Sequence, residues 1–187
     1  MDADRQLVSD VLGNKPGAFE RLVRQYQGLC WHIVQRMVRH PEDTRELCQE
    51  AFLRIHRNLH QYRSDAPLKS WIGQVAYSVA RRHLERKRIP LAEDDGEGGS
   101  LLDAVPDAFD LASAVESEET AGVLHAAIEA LPPVPRMLLT LHYLDEVPIG
   151  DIAVMTGLAE GTIKSHLFRS RKRLRELLQP RLVGVAA

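Results

Sequence analysis

The chain has 187 residues, 44% hydrophobic and 27% charged, a size and balance that suit one medium globular domain or two small ones. Its formal net charge of −2 hides a division: residues 1–90 carry +6, residues 91–120 carry −10 with no Lys or Arg, and residues 121–187 carry +2. Two cysteines, Cys30 and Cys48, exclude a secreted disulfide framework, "MDADRQLVSD" lacks the apolar core of a signal peptide, and no apolar run approaches the ~18 residues of a membrane span. A cytoplasmic protein without membrane insertion is the expectation.

Helical periodicity dominates in chain order. Leu22, Tyr26, Leu29, Ile33 and Met37 recur at three and four, as on one helix face. Pro41, with Glu42 and Asp43 behind it, suits a helix start, since acids favour the positive end of the helix dipole. Leu47, Ala51 or Phe52, Ile55 and Leu59 continue a stripe along that helix. "RSDAP" at 63–67 has loop composition. "LKSWIGQVAYSVARRHLERKR" predicts a third helix, with Trp71, Ile72, Val75, Ala76 and Val79 on one side and a basic run at its end that Pro90 stops. Trp71 falls on the apolar stripe and is expected in the core.

Residues 91–118 form an acidic segment, Gly-rich at its start, expected to be a flexible linker. A second helical domain is predicted from about residue 119. Within it, Ile152 and Ala153 lie on a short helix and Gly157 ends it, where a left-handed backbone is cheap for glycine. Leu158, Ala159 and Glu160 make the turn, and Glu160 or Thr162 opens the next helix. This is a helix-turn-helix pattern. At ~100° per residue, Ile163, Leu167, Ser170, Leu174, Leu177 and Leu178 share one stripe. Lys164, Phe168, Arg171, Lys172 and Arg175 gather beside it. Charge of one sign next to a docking stripe is what a helix in the DNA major groove requires.

"GTIKSHLFRSRKRL" together with "LPPVPRMLLTLHYLDEVPIGDIAVMTGLAE" resembles region 4 of bacterial RNA polymerase sigma factors of the sigma-70 family, most closely the extracytoplasmic-function class. "ELCQEAFLRIHRNLHQYR" at 46–63 resembles region 2.2, and "APLKSWIGQVAYSVARRHLERKR" at 66–88 resembles regions 2.3 to 2.4. The resemblance implies an all-α fold of two small helical domains, a region 2 bundle over 1–90 and a region 4 helix-turn-helix over 119–187, joined by the acidic linker at 91–118. It implies a promoter-specificity subunit rather than an enzyme, with core RNA polymerase and promoter DNA as partners and no cofactor, metal or small-molecule substrate. An anti-sigma protein wedged between the domains is a further partner the family commonly uses.

By the same resemblance, Glu46, Gln49 and Glu50 meet the clamp helices of polymerase. Tyr62, Arg63, Ser64, Asp65 and Lys69 face the −10 element, where a base is flipped from the stack at a cost of a few kcal/mol. Arg81, Arg82, Arg86 and Lys87 hold phosphates, which position without reading sequence. Thr162, Lys164, Ser165, Phe168 and Arg169 meet the −35 element, with Arg171 and Lys172 on its backbone. The acidic linker would thread the basic-walled polymerase cleft and RNA exit path.

Some positions depart from the family pattern. Arg45 stands where an acid is common, and Glu46 replaces the usual Asp. Leu68 and Gly73 replace aromatics, and Ser78 replaces Asn.

Two alternatives stand beside this reading. A free-standing LuxR-like regulator shares the last helix but leaves residues 46–63 unexplained. A decoy that holds polymerase without initiating is the other. His56 and His60, four apart, with Cys48 eight before His56, have a spacing that can bind zinc, but two helical histidines beside a core cysteine are more often packing residues. Cys30 and Cys48 are both expected to be buried.

Overall fold

The computed structural model describes residues 2–91 and 118–184. Every element it assigns among them is helical: α1 (Asp2–Leu12), α2 (Ala18–Val38), α3 (Pro41–Asn58), α4 (Leu68–Arg86), α5 (Glu118–Glu129), α6 (Pro133–Leu139), α7 (Ile149–Thr156) and α8 (Glu160–Gly184). A 3-10 turn, Leu59–Gln61, follows α3, and a π-helical turn, Thr140–Leu144, follows α6. The expected all-α class is what the described residues adopt. The linker expectation falls mainly on residues 92–117, which lie outside the described residues. By contacts the chain falls into two compact units, Met1–Ile89 with Gly150–Leu158, and Pro90–Ile149 with Ala159–Ala187.

The first unit is built on α2, α3 and α4, which pack mutually, with α1 against α2. The buried stripes are those the periodicity predicts: Leu22, Tyr26, Ile33 and Met37 on α2, and Leu47, Ala51, Phe52, Ile55 and then Leu59 along α3 and its 3-10 turn. Leu29 is half-buried, and Cys30 and Val34 complete the α2 face. Leu68, Ile72, Ala76, Val79 and Leu84 bury the third face. Each such large aliphatic side chain stabilises by roughly 1.5–3 kcal/mol when fully buried.

Turn chemistry fixes the helix order. Arg39, at φ 63°, closes α2 with its N–H on the Gln35 carbonyl at 2.9 Å. His40 then opens α3, its Nδ1 accepting from the Asp43 N–H at 3.4 Å, with Pro41 in the first turn. Gly73, one of the departures from the family pattern, is buried, and a Cβ there would meet Cγ of Met155 at 2.9 Å and Cδ1 of Ile33 at 3.4 Å. Met155 and Ile33 thus occupy the space that a side chain at this position would need, and glycine lets them pack against the α4 backbone.

α1 is an element without a periodic signal among those singled out above. Leu7, Val8 and Val11 are its buried face. Asp10 anchors it, receiving Lys15 Nζ at 2.6 Å, Gln6 Nε2 at 2.8 Å and Arg21 Nη2 at 2.9 Å. The Tyr26 hydroxyl adds a second tie, donating to Asp4 Oδ1 at 2.9 Å.

In the second unit α8 packs on α5 and α6. Arg136 is 3% exposed, and its Nη1 donates to the carbonyls of Glu129 at 3.1 Å and Leu131 at 2.8 Å. These carbonyls lie where α5 ends and would otherwise lack helical partners, so a buried guanidinium and the orphan acceptors satisfy each other. The docking stripe of α8 is Ile163, Leu167, Ser170, Leu174 and Leu178, all buried. Leu177, expected on that stripe, is 43% exposed. It lies ~20° beyond Ser170 on the helical projection, just past the covered edge.

Candidate nucleic-acid interface

Three surfaces collect the residues singled out in the sequence. The first is the end of α3 with the loop and helix that follow. Tyr62 is half-buried; its hydroxyl donates to the Ala66 carbonyl at 2.7 Å, and its ring lies 5.7 Å from that of Trp71. Trp71 is half-buried rather than fully in the core, because α4 turns that face toward the loop. The loop is thus closed on itself by Tyr62, with Ser64 at φ 61° at its crest. Arg63, Ser64, Asp65 and Lys69 are exposed around it. A short loop of polar side chains beside two aromatic rings can take an unstacked base by hydrogen bonds and ring contact.

Along α4 the basic residues separate by partner. Arg81 Nε donates to Glu85 Oε1 at 2.8 Å, which holds the guanidinium strongly in its charged form. Lys87 Nζ donates to Asp43 Oδ2 at 2.7 Å. Arg82 and Arg86 are exposed and have no ion-pair partner among the described residues. Four apart, they share one helix face.

The second surface is on α2 and α3. Glu46 and Gln49 are exposed, while Glu50 is half-buried and takes the Arg54 guanidinium one turn on. Beside Gln49 an apolar groove of ≈ 720 Å³ runs between the helices, lined by Phe19, Val23, Trp31, Cys48, Phe52 and Leu53 among others. Trp31 is 39% and Leu53 58% exposed. Periodicity alone did not single these residues out. Both are apolar residues on the faces of α2 and α3 opposite the buried stripes, and that position is the signal. Cys48, expected buried, is half-exposed in this groove, whereas Cys30 is fully buried. Burial, with Cys48 nearby, pushes the Cys30 thiol up to about 12, and burial pushes Cys48 up to about 11. His56 of the zinc spacing instead meets the Phe19 ring edge-on at 4.7 Å.

The third surface is α8 and the turn before it. Thr156 ends α7, its hydroxyl donating to the Ile152 carbonyl at 2.8 Å and accepting the Leu158 N–H at 3.2 Å. Gly157 has φ 72°, the left-handed conformation expected, and α8 opens at Glu160. Thr162, Lys164 and Lys172 are exposed; Ser165, Phe168, Arg169 and Arg171 are half-buried. Ser165 donates back to the Gly161 carbonyl at 3.0 Å, and Arg171 lies over the Tyr143 ring at 5.8 Å. Lys164, Phe168, Arg171 and Lys172 form one flank of the docking stripe. Arg169 is on the other, lining a notch with Leu131, Pro132, Pro135, His166, Ser170 and Arg173. The structure therefore does not bring the seven residues predicted on α8 onto one face.

The sequence matches two family profiles in order: "Sigma-70 region 2" over residues 22–89 and "Sigma-70, region 4" over residues 121–174. It is 31% identical to the ECF RNA polymerase sigma-E factor of Escherichia coli, covering 95% of each chain. It is 29% identical to the RNA polymerase sigma-H factor of Pseudomonas aeruginosa, over 97% of this chain and 96% of that one. The fold is similar to that of CnrH, solved in complex with the cytosolic domain of CnrY, with a TM-score of 0.65 at 19% identity over 95% of this chain and 98% of the other. It is also similar to that of the sigma factor RpoE from Bartonella quintana, solved with the anti-sigma factor NepR, with a TM-score of 0.58 at 19% identity over 87% and 98%.

Proposed function

Because the chain belongs to the extracytoplasmic-function sigma factors of the sigma-70 family, we propose that its three surfaces divide the work of promoter-specific initiation. As a sigma factor it binds core RNA polymerase and directs transcription from its promoters. The observation that carries this is the match of both regions in order, together with sigma-factor relatives that align over 95% and 97% of the chain. A free-standing LuxR-like regulator is not supported, because it accounts for α8 and leaves the first unit without a role. The protein acts in the cytoplasm as a specificity subunit and lends no catalytic group to RNA synthesis.

In this reading residues 1–90 and 119–187 are the two functional domains, and residues 91–118 link them. Glu46 and Gln49 face the polymerase clamp, and the neighbouring groove with Trp31 and Leu53 supplies the apolar contact that a charged rim alone cannot. Glu50 keeps Arg54 ordered beside them. The 62–67 loop receives a flipped base of the −10 element, with Tyr62 shaping the loop and Arg63, Ser64, Asp65 and Lys69 reading it. Lys164 and Phe168, with Thr162 at the start of the helix, engage the −35 element, and Arg171 and Lys172 meet its backbone. An anti-sigma protein is a further partner in this reading, of the kind solved with the RpoE neighbour.

Run-off transcription tests the whole proposal: purified protein, core polymerase, and a template carrying the region upstream of its own gene. A transcript that needs both components is expected. Nanomolar DNA binding without polymerase, and no transcript with it, would overturn the proposal.

A further inference from the structure

Asp43 lies in the first turn of α3, and the Lys87 ammonium and the imidazoles of His83 and His40 surround its carboxylate. Lys87 Nζ donates to Oδ2 at 2.7 Å, His83 Nε2 lies 3.3 Å from the same oxygen, and His40 Nδ1 lies 3.7 Å from Oδ1. The Lys87 hydrogen bond is the main reason the Asp43 carboxyl is held below its ordinary value, and the lysine charge adds to it. A carboxylate is also favoured at a helix N-terminus.

Lys87 and His83 come from the C-terminal end of α4, 44 and 40 residues later in the chain, which lies beside the start of α3. Here α4 finishes: the Lys87 N–H bonds the His83 carbonyl at 3.1 Å, Arg88 takes φ 55°, and the Ile89 N–H returns to the Leu84 carbonyl at 3.0 Å. A terminal turn of this kind frays unless it is tied down. The Asp43 carboxylate is the side-chain tie from α3 to this turn.

The tie also sorts the cations of α4. Lys87 lies ~140° around the helix from Arg82, whereas Arg86 lies only ~40° from it. Lys87 turns to α3, Arg81 turns to Glu85, and Arg82 with Arg86 project together.

We infer that Asp43 is a positioning residue for promoter binding: by holding Lys87 against α3 it fixes the last turn of α4 and leaves the phosphate contacts to Arg82 and Arg86. This rests on the reading of α4 as a DNA-binding helix, and it reassigns Lys87, which the sequence alone placed among the phosphate contacts.

The test uses holoenzyme assembled from core polymerase and full-length variants, bound to a duplex carrying the upstream region of the protein's own gene. Affinity is measured across a KCl series at one fixed pH, because His40 and His83 share the carboxylate. Asp43→Asn and Lys87→Met are each expected to weaken binding about two- to fivefold, the range of a single ion pair, with the salt slope unchanged. The double variant should be no weaker than either single one, and Asp43→Glu should recover most of the loss. That recovery separates a lost tie from a damaged fold, which thermal unfolding of each variant also checks. Tighter DNA binding by Asp43→Asn, or a salt slope reduced by about one unit in Lys87→Met, would make Lys87 a phosphate contact that Asp43 merely competes for, and the inference would fail. No effect of either substitution would defeat it equally. Arg82→Gln with Arg86→Gln should lower the slope by about two units; an unchanged slope there would sink the DNA-binding reading of α4 itself, whatever Asp43 does.

Discussion

The Tyr62 hydroxyl donates to the Ala66 carbonyl at 2.7 Å across the loop that separates α3 from α4. The bond joins the two ends of the loop, and the Tyr62 ring remains against Trp71. Tyr62 thus holds the loop from within, and the side chains between it and Ala66 project into solvent, as the proposed −10 contact requires.

Tyr62→Phe keeps the ring and removes the closing bond. A net hydrogen bond is worth about 0.5–1.5 kcal/mol, so global stability should fall by no more than that. Promoter opening should suffer more than polymerase binding. Permanganate reactivity of the −10 region in open complexes, set beside holoenzyme affinity, measures the two separately; equal losses in both would count against the loop's role.

Leu53→Asp tests the groove. The residue is 58% exposed, so its substitution should leave thermal stability within about 0.5 kcal/mol. A charge placed in an apolar contact should lower affinity for core polymerase at least tenfold, about 1.4 kcal/mol or more. Fluorescence titration of labelled protein with core enzyme reads this directly, and Gln49→Ala on the rim should cost less.

Arg136→Met keeps much of the side-chain volume but strips the carbonyls of Glu129 and Leu131 of their donor. A buried acceptor left unpaired, as the Leu131 carbonyl would be, costs about 1–3 kcal/mol, and the part-buried Glu129 carbonyl less. The second unit should lose about 1–3 kcal/mol by chemical denaturation, while the first keeps its own transition.

Acid should release α1. The Asp10 carboxyl is held below its ordinary value, first by the Lys15 hydrogen bond, then by that of Gln6, and by the charges of Lys15 and Arg21. A depressed folded-state pKa means that the stability is present above the unfolded value, about 3.9, and is lost as pH falls through the folded value. Unfolding followed between pH 5 and pH 2 should steepen below about pH 4 in the native chain, and Asp10→Asn should flatten that limb. Identical acid limbs would show that α1 does not depend on this cluster.

What could be read in the sequence is what repeats along one helix. Ile163, Leu167, Ser170, Leu174 and Leu178 are buried because they recur at three and four, and the same rule found the stripes of α2 and α3. Leu177 failed at the stripe's edge, where ~20° decides between cover and solvent. The pairing of Asp43 with Lys87 could not be read, since it depends on how two helices end beside one another. Arg169 and Lys164, five residues apart, were grouped by family position although the helix turns them to opposite flanks. Trp31 and Leu53 were missed for a related reason: a search for buried stripes passes over apolar residues on the wrong side, which are the ones left for a partner.

Cys48 gives the groove a built-in reporter. Its sulfur lines the surface proposed for polymerase, while the other cysteine, Cys30, is sealed in the core of the same unit. With its thiol pushed up to about 11 it alkylates slowly, so reaction can be followed on the timescale of complex assembly. A partner seated in the groove shields that sulfur and leaves Cys30 as an internal reference. The native chain can therefore report occupancy of its own docking face by mass spectrometry, with no label introduced.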